Sequence, residues 1–584
     1  MNKPGFVKKS GFLMYGVLLQ KVQRTIFLYE ELNIILEREA GGRIYSSSQL
    51  NRIHPSPSQR RGAGGEVYQG VFHPTEKRYS KIKNNNHKNN NQIYKIMKEN
   101  DYHQQILIIG GGPAGFATAL ILAKRGWKNI TVLEKRPSAD FYEPDKAFNY
   151  LIDGRGQKFT DYLNLTENLS QNGVASTDFE LTKITPDGNR KTVKLPIVDP
   201  NRKPAYWITR KTFVNLLYQE IENNWQDSIH IIFNAKCAEV NKINHTNTDD
   251  NNKSDKLEVI AEIENGETLK FQPFLLVGCD GINSIVRNTL KQWDKSSSSK
   301  FEMKYSPSPS AGLKYKILTL PSRFPLNESG EELSTSEMAY AVRSKLKDSK
   351  NSISLGLLPV KNPDEVRSAN IIAKPNHNIW ELKNGEEMHD FLTKSFPQLP
   401  IDKIVSAQEA QRFSVSEGGE FPIPQHCNGF YSKFNDQTFI VLLGDAIHSF
   451  PPDLGQGVNS ALEDVYTLNE ALDKSKNNLS EALPLYESSR IADTKALIRL
   501  MQIGYPWQYN QAPIRKKLWS INFLLRLSLS KILPFLFSPP AFFLVQNHQL
   551  SYNEILMKAE RTTRIFYLIL VIILLALGFS QLSY

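Results

Sequence analysis

With 584 residues the chain is long enough for more than one packed unit and a sizeable core. Its net charge of +11 suggests a polyanionic partner only until the distribution is read: residues 1–100 hold 17 Lys and Arg against 7 Asp and Glu, which leaves the other 484 nearly neutral. That excludes nucleic acid as a partner of the body, and three cysteines (Cys237, Cys279 and Cys427) are too few for a disulfide framework.

Residues 1–96 do not read as a domain. Short apolar runs alternate with Pro/Ser/Arg/Gly stretches such as 55–65 and close in an asparagine tract over 84–91, so a disordered basic extension is predicted. Two origins stay open. One is a targeting peptide, against which Glu30, Glu31, Glu37 and Glu39 count; the other is sequence ahead of the true start, since Met97 stands just before the first strand.

The first strong signal is Ile106-Leu107-Ile108-Ile109, four apolar residues of a strand buried on both faces. Gly110, Gly112 and Gly115 follow in GxGxxG spacing, with Pro113 and Ala114 between them, and Phe116 to Lys124 then reads as a helix. Such a turn brings backbone amides to a pyrophosphate at the positive end of the helix. A second strand, Ile130 to Leu133, ends in Glu134 and Lys135, and a carboxylate there can accept both hydroxyls of an adenosine ribose. This is a dinucleotide site, with FAD and NAD both open at this point.

Further on, Tyr206 to Arg210 leads into a helix over Lys211 to Asn223, and Ile229 to Phe233 and Leu257 to Ile263 are strands around a solvated loop. Phe274 to Val277 is an apolar strand running into Cys279, Asp280 and Gly281. Residues 311–420 read as β-rich, with strands at Lys314 to Leu320, Met338 to Val342 and Ile353 to Val360. Thr438 to Leu443 then ends in Gly444-Asp445, and a loop through Gly455, Gly457, Val458 and Asn459 opens a helix to about Asp473. Asp445 can bond a ribityl hydroxyl of a flavin and the amides at 455–459 can face its pyrimidine, or the segment is a helix cap after a turn.

The order Gly110/Gly112/Gly115, Asp280-Gly281 with Ser284 and Arg287, and Gly444-Asp445 resembles the single-component FAD-dependent aromatic hydroxylases over about residues 103–580. Arg210 matches a family arginine that contacts the flavin. Arg155-Gly156-Gln157, Asp390-Phe391-Leu392 with Ser395-Phe396-Pro397, Leu454 to Glu463-Asp464, and the tail Leu533-Pro534 to Ser551-Tyr552-Asn553-Glu554 are similar to the kynurenine 3-monooxygenase branch. The resemblance implies a resident FAD and hydroxylation of a small aromatic substrate with O2. NAD(P)H would visit transiently, since no second GxGxxG occurs. An epoxidase or reductase of a lipid or isoprenoid, and a non-catalytic FAD-binding protein, are the alternatives. That branch holds the kynurenine carboxylate with an arginine and a tyrosine; here Leu181 and Ile197 stand near those places, and Gly504 and Ala541 near a further asparagine and tyrosine. Lys183, Arg190, Arg202 and Tyr505 are the neighbouring residues able to substitute. No acid–base residue is assigned. His448, on the loop after Asp445, is a candidate acid–base group but reads first as a solvated loop histidine, and Cys279 reads as a small buried residue.

Ile565 to Phe579 is apolar but for the hydroxyl of Tyr567, no charge follows Arg564, and Lys558, Arg561 and Arg564 precede it. Twenty helical residues reach about 30 Å, so a transmembrane anchor is predicted, with the body on the cytosolic side of the mitochondrial outer membrane or endoplasmic reticulum. The predicted architecture is α/β: a Rossmann-type FAD-binding domain (97–178, 209–300 and 436–500) interrupted by substrate-domain strands (179–208) and a β-rich substrate domain (301–435). A helical region (501–560) and the anchor (565–584) follow.

Overall fold

Four apolar residues covered on both faces make β1 (Ile106–Ile109) the centre of a six-stranded sheet. The helix α1 (Pro113–Lys124) carries the chain to β2 (Ile130–Leu133), and α2 (Arg210–Asn224) precedes β3 (Ile229–Ile232). Next come β4 (Leu275–Gly278), α3 (Ile285–Trp293), β5 (Tyr431–Lys433) and β6 (Phe439–Leu442), then α4 (Gly457–Lys474), α5 (Leu479–Ile503) and α6 (Tyr552–Leu582). The strand order is β5-β6-β4-β1-β2-β3, parallel except at the β5 edge. β1, β2, β4 and β6 are buried along their whole length, and each large apolar side chain so covered contributes about 2 kcal/mol. The computed structural model describes residues 102–177, 180–194, 202–243, 255–509 and 511–582. The extension 1–96, the asparagine tract, Ile197 and most of the loop between the strands Ala235–Ile243 and Lys256–Ile263 lie outside the described residues.

A second, seven-stranded sheet runs in the order 419–420, 314–320, 367–373, 354–357, 339–343, 180–184, 190–194. It is drawn mostly from the stretch read as β-rich, but that stretch also holds helices Gly385–Ser395 and Ala407–Val415. Both are capped, by Asn384 and Ser406, and bury Met388, Leu392, Ala410 and Phe413 against one face of the sheet. Leu318, Leu320, Tyr340, Val342, Ala369 and Ile371 belong to that core. Strand alternation turns Tyr315, Ile317 and Thr319 to the opposite face. There the Tyr142 hydroxyl meets Thr319 Oγ1 at 3.1 Å and Ser368 Oγ donates to the Ala147 carbonyl, so this face lies toward the dinucleotide half. Tyr206–Thr209 joins neither large sheet; it pairs with Asn149–Ile152 and Val174–Ala175.

The C-terminal region packs α5 against α6, with Leu497, Leu500, Met501 and Ile555 in a core of their own. The anchor expected over 565–584 takes a different form. Among the described residues no helix is long and apolar enough to cross a membrane. Instead, Tyr552 and Ile555 bury the start of the 31-residue α6, while Leu568 to Leu575 are each 40–60 % exposed.

Candidate functional site

Three loops meet at the carboxyl ends of β1, β4 and β6, and absent side chains let them meet. Gly110 leaves β1 at φ +102°, and a methyl group there would lie 2.5 Å from the Cys279 carbonyl oxygen. A methyl at Gly115 would lie 1.8 Å from the Gly110 carbonyl oxygen, so α1 rests directly on the strand end. Gly444, at φ +64°, has room for a methyl only at 3.2 Å from the Ala114 Cβ and 3.4 Å from the Ala461 Cβ. The GxGxxG turn, the Cys279-Asp280 segment, the Gly444-Asp445 loop and α4 therefore share one contact surface.

Other glycines of the same segments have room beside them. A methyl at Gly112, Gly281, Gly455 or Gly457 would meet nothing within 4 Å. Asp445 is exposed and bonds to no protein group among the described residues, although protein crowding raises its carboxyl above the ordinary value. Asp280 accepts from the Ile285 and Val286 amides at 2.6 and 3.3 Å, while its Oδ1 is buried without a partner. α2 and α3 are capped by the side chains of Thr209 and Ser284; α1 and α4 have no side-chain cap and no acid in the first turn. Two uncapped helix N-termini beside open space suit an extended anionic ligand such as a dinucleotide.

Glu134 is buried and receives the Gly111 amide at 2.7 Å, the Arg136 amide at 2.8 Å and Arg136 Nε at 2.9 Å. Burial raises its carboxyl, and the bonds and charge of Arg136 outweigh that and hold it low. Lys135 is exposed. Two residues past the acid, Arg136 returns to its side of the chain and is its basic partner. Arg210 opens α2 and bonds Glu143 at 3.2 Å. Burial raises the Tyr150 phenol, and the charges of Arg210, Asp445 and Arg136 all act on it. Asn459 turns its side chain to the protein, accepting the Asp153 amide at 3.0 Å and donating to the Leu151 and Gly455 carbonyls, while Val458 is buried beside it. Pro113 starts α1.

Behind the junction lies a buried polar chain: Arg155, Glu463, Asp464 and Tyr552 stand in segments that carry the resemblance, but nothing in their spacing reveals that they pair. His448 is 0 % exposed rather than solvated; its Nε2 is 2.7 Å from Asp464 Oδ2, which also accepts the Gly444 amide at 2.9 Å. Arg490 Nε donates to Asp464 at 2.8 Å and its Nη1 to Glu463 at 3.0 Å; Arg155 Nη1 donates to the other Glu463 oxygen at 2.7 Å. The Arg155 guanidinium lies 3.9 Å over the Tyr552 ring, whose hydroxyl donates to Gln456 at 2.7 Å, and Gln456 donates to Asp153 at 2.9 Å. The start of α6 is thus tied to the residue that begins α4. Of the residues named as possible carboxylate ligands, Arg190 bonds Glu332 and the Leu326 carbonyl, Arg202 bonds Gln546, and Tyr505 stacks on Trp519 at 4.9 Å.

The FAD binding domain family matches residues 103–307 and 424–500. The chain is 25 % identical to the kynurenine 3-monooxygenase of Legionella pneumophila (strain Corby), covering 69 % of this chain and 80 % of that one. It is 23 % identical to the kynurenine 3-monooxygenase of Salinispora tropica, covering 80 % of this chain and 93 % of that one. Among solved structures it is similar to a probable FAD-dependent monooxygenase, PqsL of Pseudomonas aeruginosa, at 20 % identity and a TM-score of 0.46, over 72 % of this chain and 100 % of that one. The chain is an FAD-dependent aromatic monooxygenase, similar to the kynurenine 3-monooxygenases.

Proposed function

We propose that the open junction between α1, the Asp280 loop and α4 holds FAD, and that the substrate meets it from the seven-stranded sheet. Gly112 and the start of α1, with Pro113, Ala114 and Gly115, take the pyrophosphate; Glu134 and Arg136 take the adenosine end, with Lys135 at the rim. Asp280, Gly281, Gly444 and Asp445 face the ribityl chain, Arg210 lies beside it, and the amides at Gly455 and Gly457 to Asn459 face the pyrimidine. The observation that carries this is the coincidence of four open glycine positions with two uncapped helix starts in the segments that meet at the junction. When bound, FAD reduced by NAD(P)H and reoxidised by O2 supplies an electrophilic oxygen to an electron-rich ring. The protein orients that ring and excludes water from it. The substrate is a small aromatic compound. Arg190 and Arg202 are engaged elsewhere, which weighs against a clamp for an amino-acid carboxylate.

The test uses the full chain purified in detergent. A yellow protein that releases FAD on denaturation, and that oxidises NADPH faster with an aromatic from a panel including L-kynurenine, is the expected result. Folded protein that neither contains nor takes up flavin refutes the reading.

The exposed apolar residues Leu568 to Leu575 support attachment of the enzyme to a lipid surface. The full chain is expected to float with phosphatidylcholine vesicles and a chain ending at Arg564 to stay behind; equal behaviour of the two refutes the attachment.

A further inference from the structure

Asp453 sits on the short turn Pro452–Leu454, just before Gly455, and is 5 % exposed. Its Oδ2 accepts from Ser310 Oγ, its backbone carbonyl accepts from Gln508 Nε2 at 3.1 Å, and the Tyr509 phenol interacts with its carboxyl. Its Oδ1 is buried and has no partner. Ser310 leads into the sheet strand Lys314–Leu320, and Gln508 and Tyr509 follow α5, so the carboxyl stands where flavin loop, sheet and C-terminal region meet. Aromatic rings line the way from the sheet to this point: Tyr315, on the face toward the dinucleotide half, lies 5.5 Å from Phe421, which lies 5.4 Å from Tyr509.

We propose that Asp453 selects the substrate: its unpartnered oxygen accepts a hydrogen bond from a hydroxyl or amino group of an aromatic ring held beside Tyr315, Phe421 and Tyr509. The proposal rests on the monooxygenase reading and adds the substrate class to it. A buried carboxyl with no cation among its partners is costly while one of its oxygens lacks a donor, as Oδ1 does beside the Ser310-bonded Oδ2. A ring bearing its own carboxylate would bring like charges together and is disfavoured. Hydroxyl and amino groups also donate electrons into the ring, which is what transfer of an electrophilic oxygen requires. Burial pushes the Asp453 carboxyl up to about 6. The groups facing it are Ser310 and Gln508, which do not titrate, and Tyr509, with Tyr505 beyond it, whose phenol is held well above its ordinary value. Asp453 is therefore ionised and a full acceptor above that value, and loses acceptor strength as pH falls through it.

The test measures perturbation of the bound flavin spectrum in the full-length holoprotein by phenol and aniline, and by their methylated counterparts anisole and N,N-dimethylaniline. Phenol and aniline are expected to bind about tenfold more tightly at pH 7.5, the scale of one hydrogen bond to a charged acceptor. The preference is expected to shrink below pH 6, and Asp453→Asn to flatten both preference and pH limb. Equal binding of the members of each pair in the parent protein, a comparison that needs no variant, overturns the proposal. So does an Asp453→Asn protein that keeps the preference and its pH limb. Folded protein that takes up no flavin fails the underlying monooxygenase reading instead, and is seen in the same spectra before any ligand is added.

Discussion

Replacing Arg490 by Met is expected to cost about 3–5 kcal/mol of stability and to empty the flavin site, because it takes the shared guanidinium from two buried carboxylates. Arg490 is 1 % exposed and bonds both Asp464, at 0 %, and Glu463, at 5 %. Burial alone would raise both carboxyls, but the charges of His448, Arg155 and Arg490 hold them below their ordinary values. Their contribution is present above the unfolded-state pKa values of 3.8 and 4.5 and is lost as pH falls through the lowered folded ones. In the variant both carboxyls lose the charge of Arg490 and rise relative to the parent. The stability gap between variant and parent is therefore widest near neutral pH and closes as the solution is acidified below about 4.5. The loss reaches the cofactor because Asp464 also accepts the Gly444 amide, which sets the turn ahead of Asp445. Denaturant midpoints at several pH values, with flavin content measured on the same samples, check both halves. Full flavin occupancy in a destabilised variant would show that the network holds the fold but not the loop. Adding Asp464→Asn to Arg490→Met should recover part of the stability, since the neutral amide tolerates burial better than a carboxylate that has lost its guanidinium, while Glu463 keeps Arg155.

The contrast between this network and the glycine turn shows which information is local in the chain. The strand–turn–helix over 106–124 is written in consecutive residues, since apolar continuity, glycine spacing and the following helix are all short-range. The Arg155–Glu463 pair spans 308 positions and Arg155 reaches Leu550 across 395, so no spacing rule can connect them. His448 illustrates the same limit. Its neighbours in sequence describe a loop, and only the packing of α4 and α5 makes that loop interior. Within 311–420 alternation is visible in the strands, but the helices at 385–395 and 407–415 carry only half-apolar faces, a signal that competes poorly with the surrounding β pattern. Arg136, two residues past Glu134, carries no motif in the sequence, and the side on which the chain emerges from β2 brings it to the acid. Asp453 is visible as a letter, but its meaning depends on Ser310 and Tyr509 arriving from two other segments.

Gly112 and Gly115 should separate folding from ligand binding within four residues of one turn. Gly112→Val adds its side chain to open space, since nothing lies within 4 Å of the position of its first carbon. The protein is expected to fold with its stability changed by less than about 1 kcal/mol, while the added methyl groups occupy the path of the pyrophosphate and abolish flavin uptake. Gly115→Ala adds a single carbon, but 1.8 Å from the Gly110 carbonyl oxygen, which is backbone and has no rotamer to escape through. Helix and strand must move apart, so α1 shifts from β1 and the core built on Phe116, Leu120 and Ile121 loosens. Here stability and flavin are expected to fall together, although alanine is intrinsically the better helix former. Melting of the flavin-free proteins beside FAD titration distinguishes the two. A Gly112→Val protein that still binds FAD at the parental level would mean that the uncapped start of α1 is not where the phosphates lie. Because that position is open in the protein itself, the failure could not be blamed on misfolding.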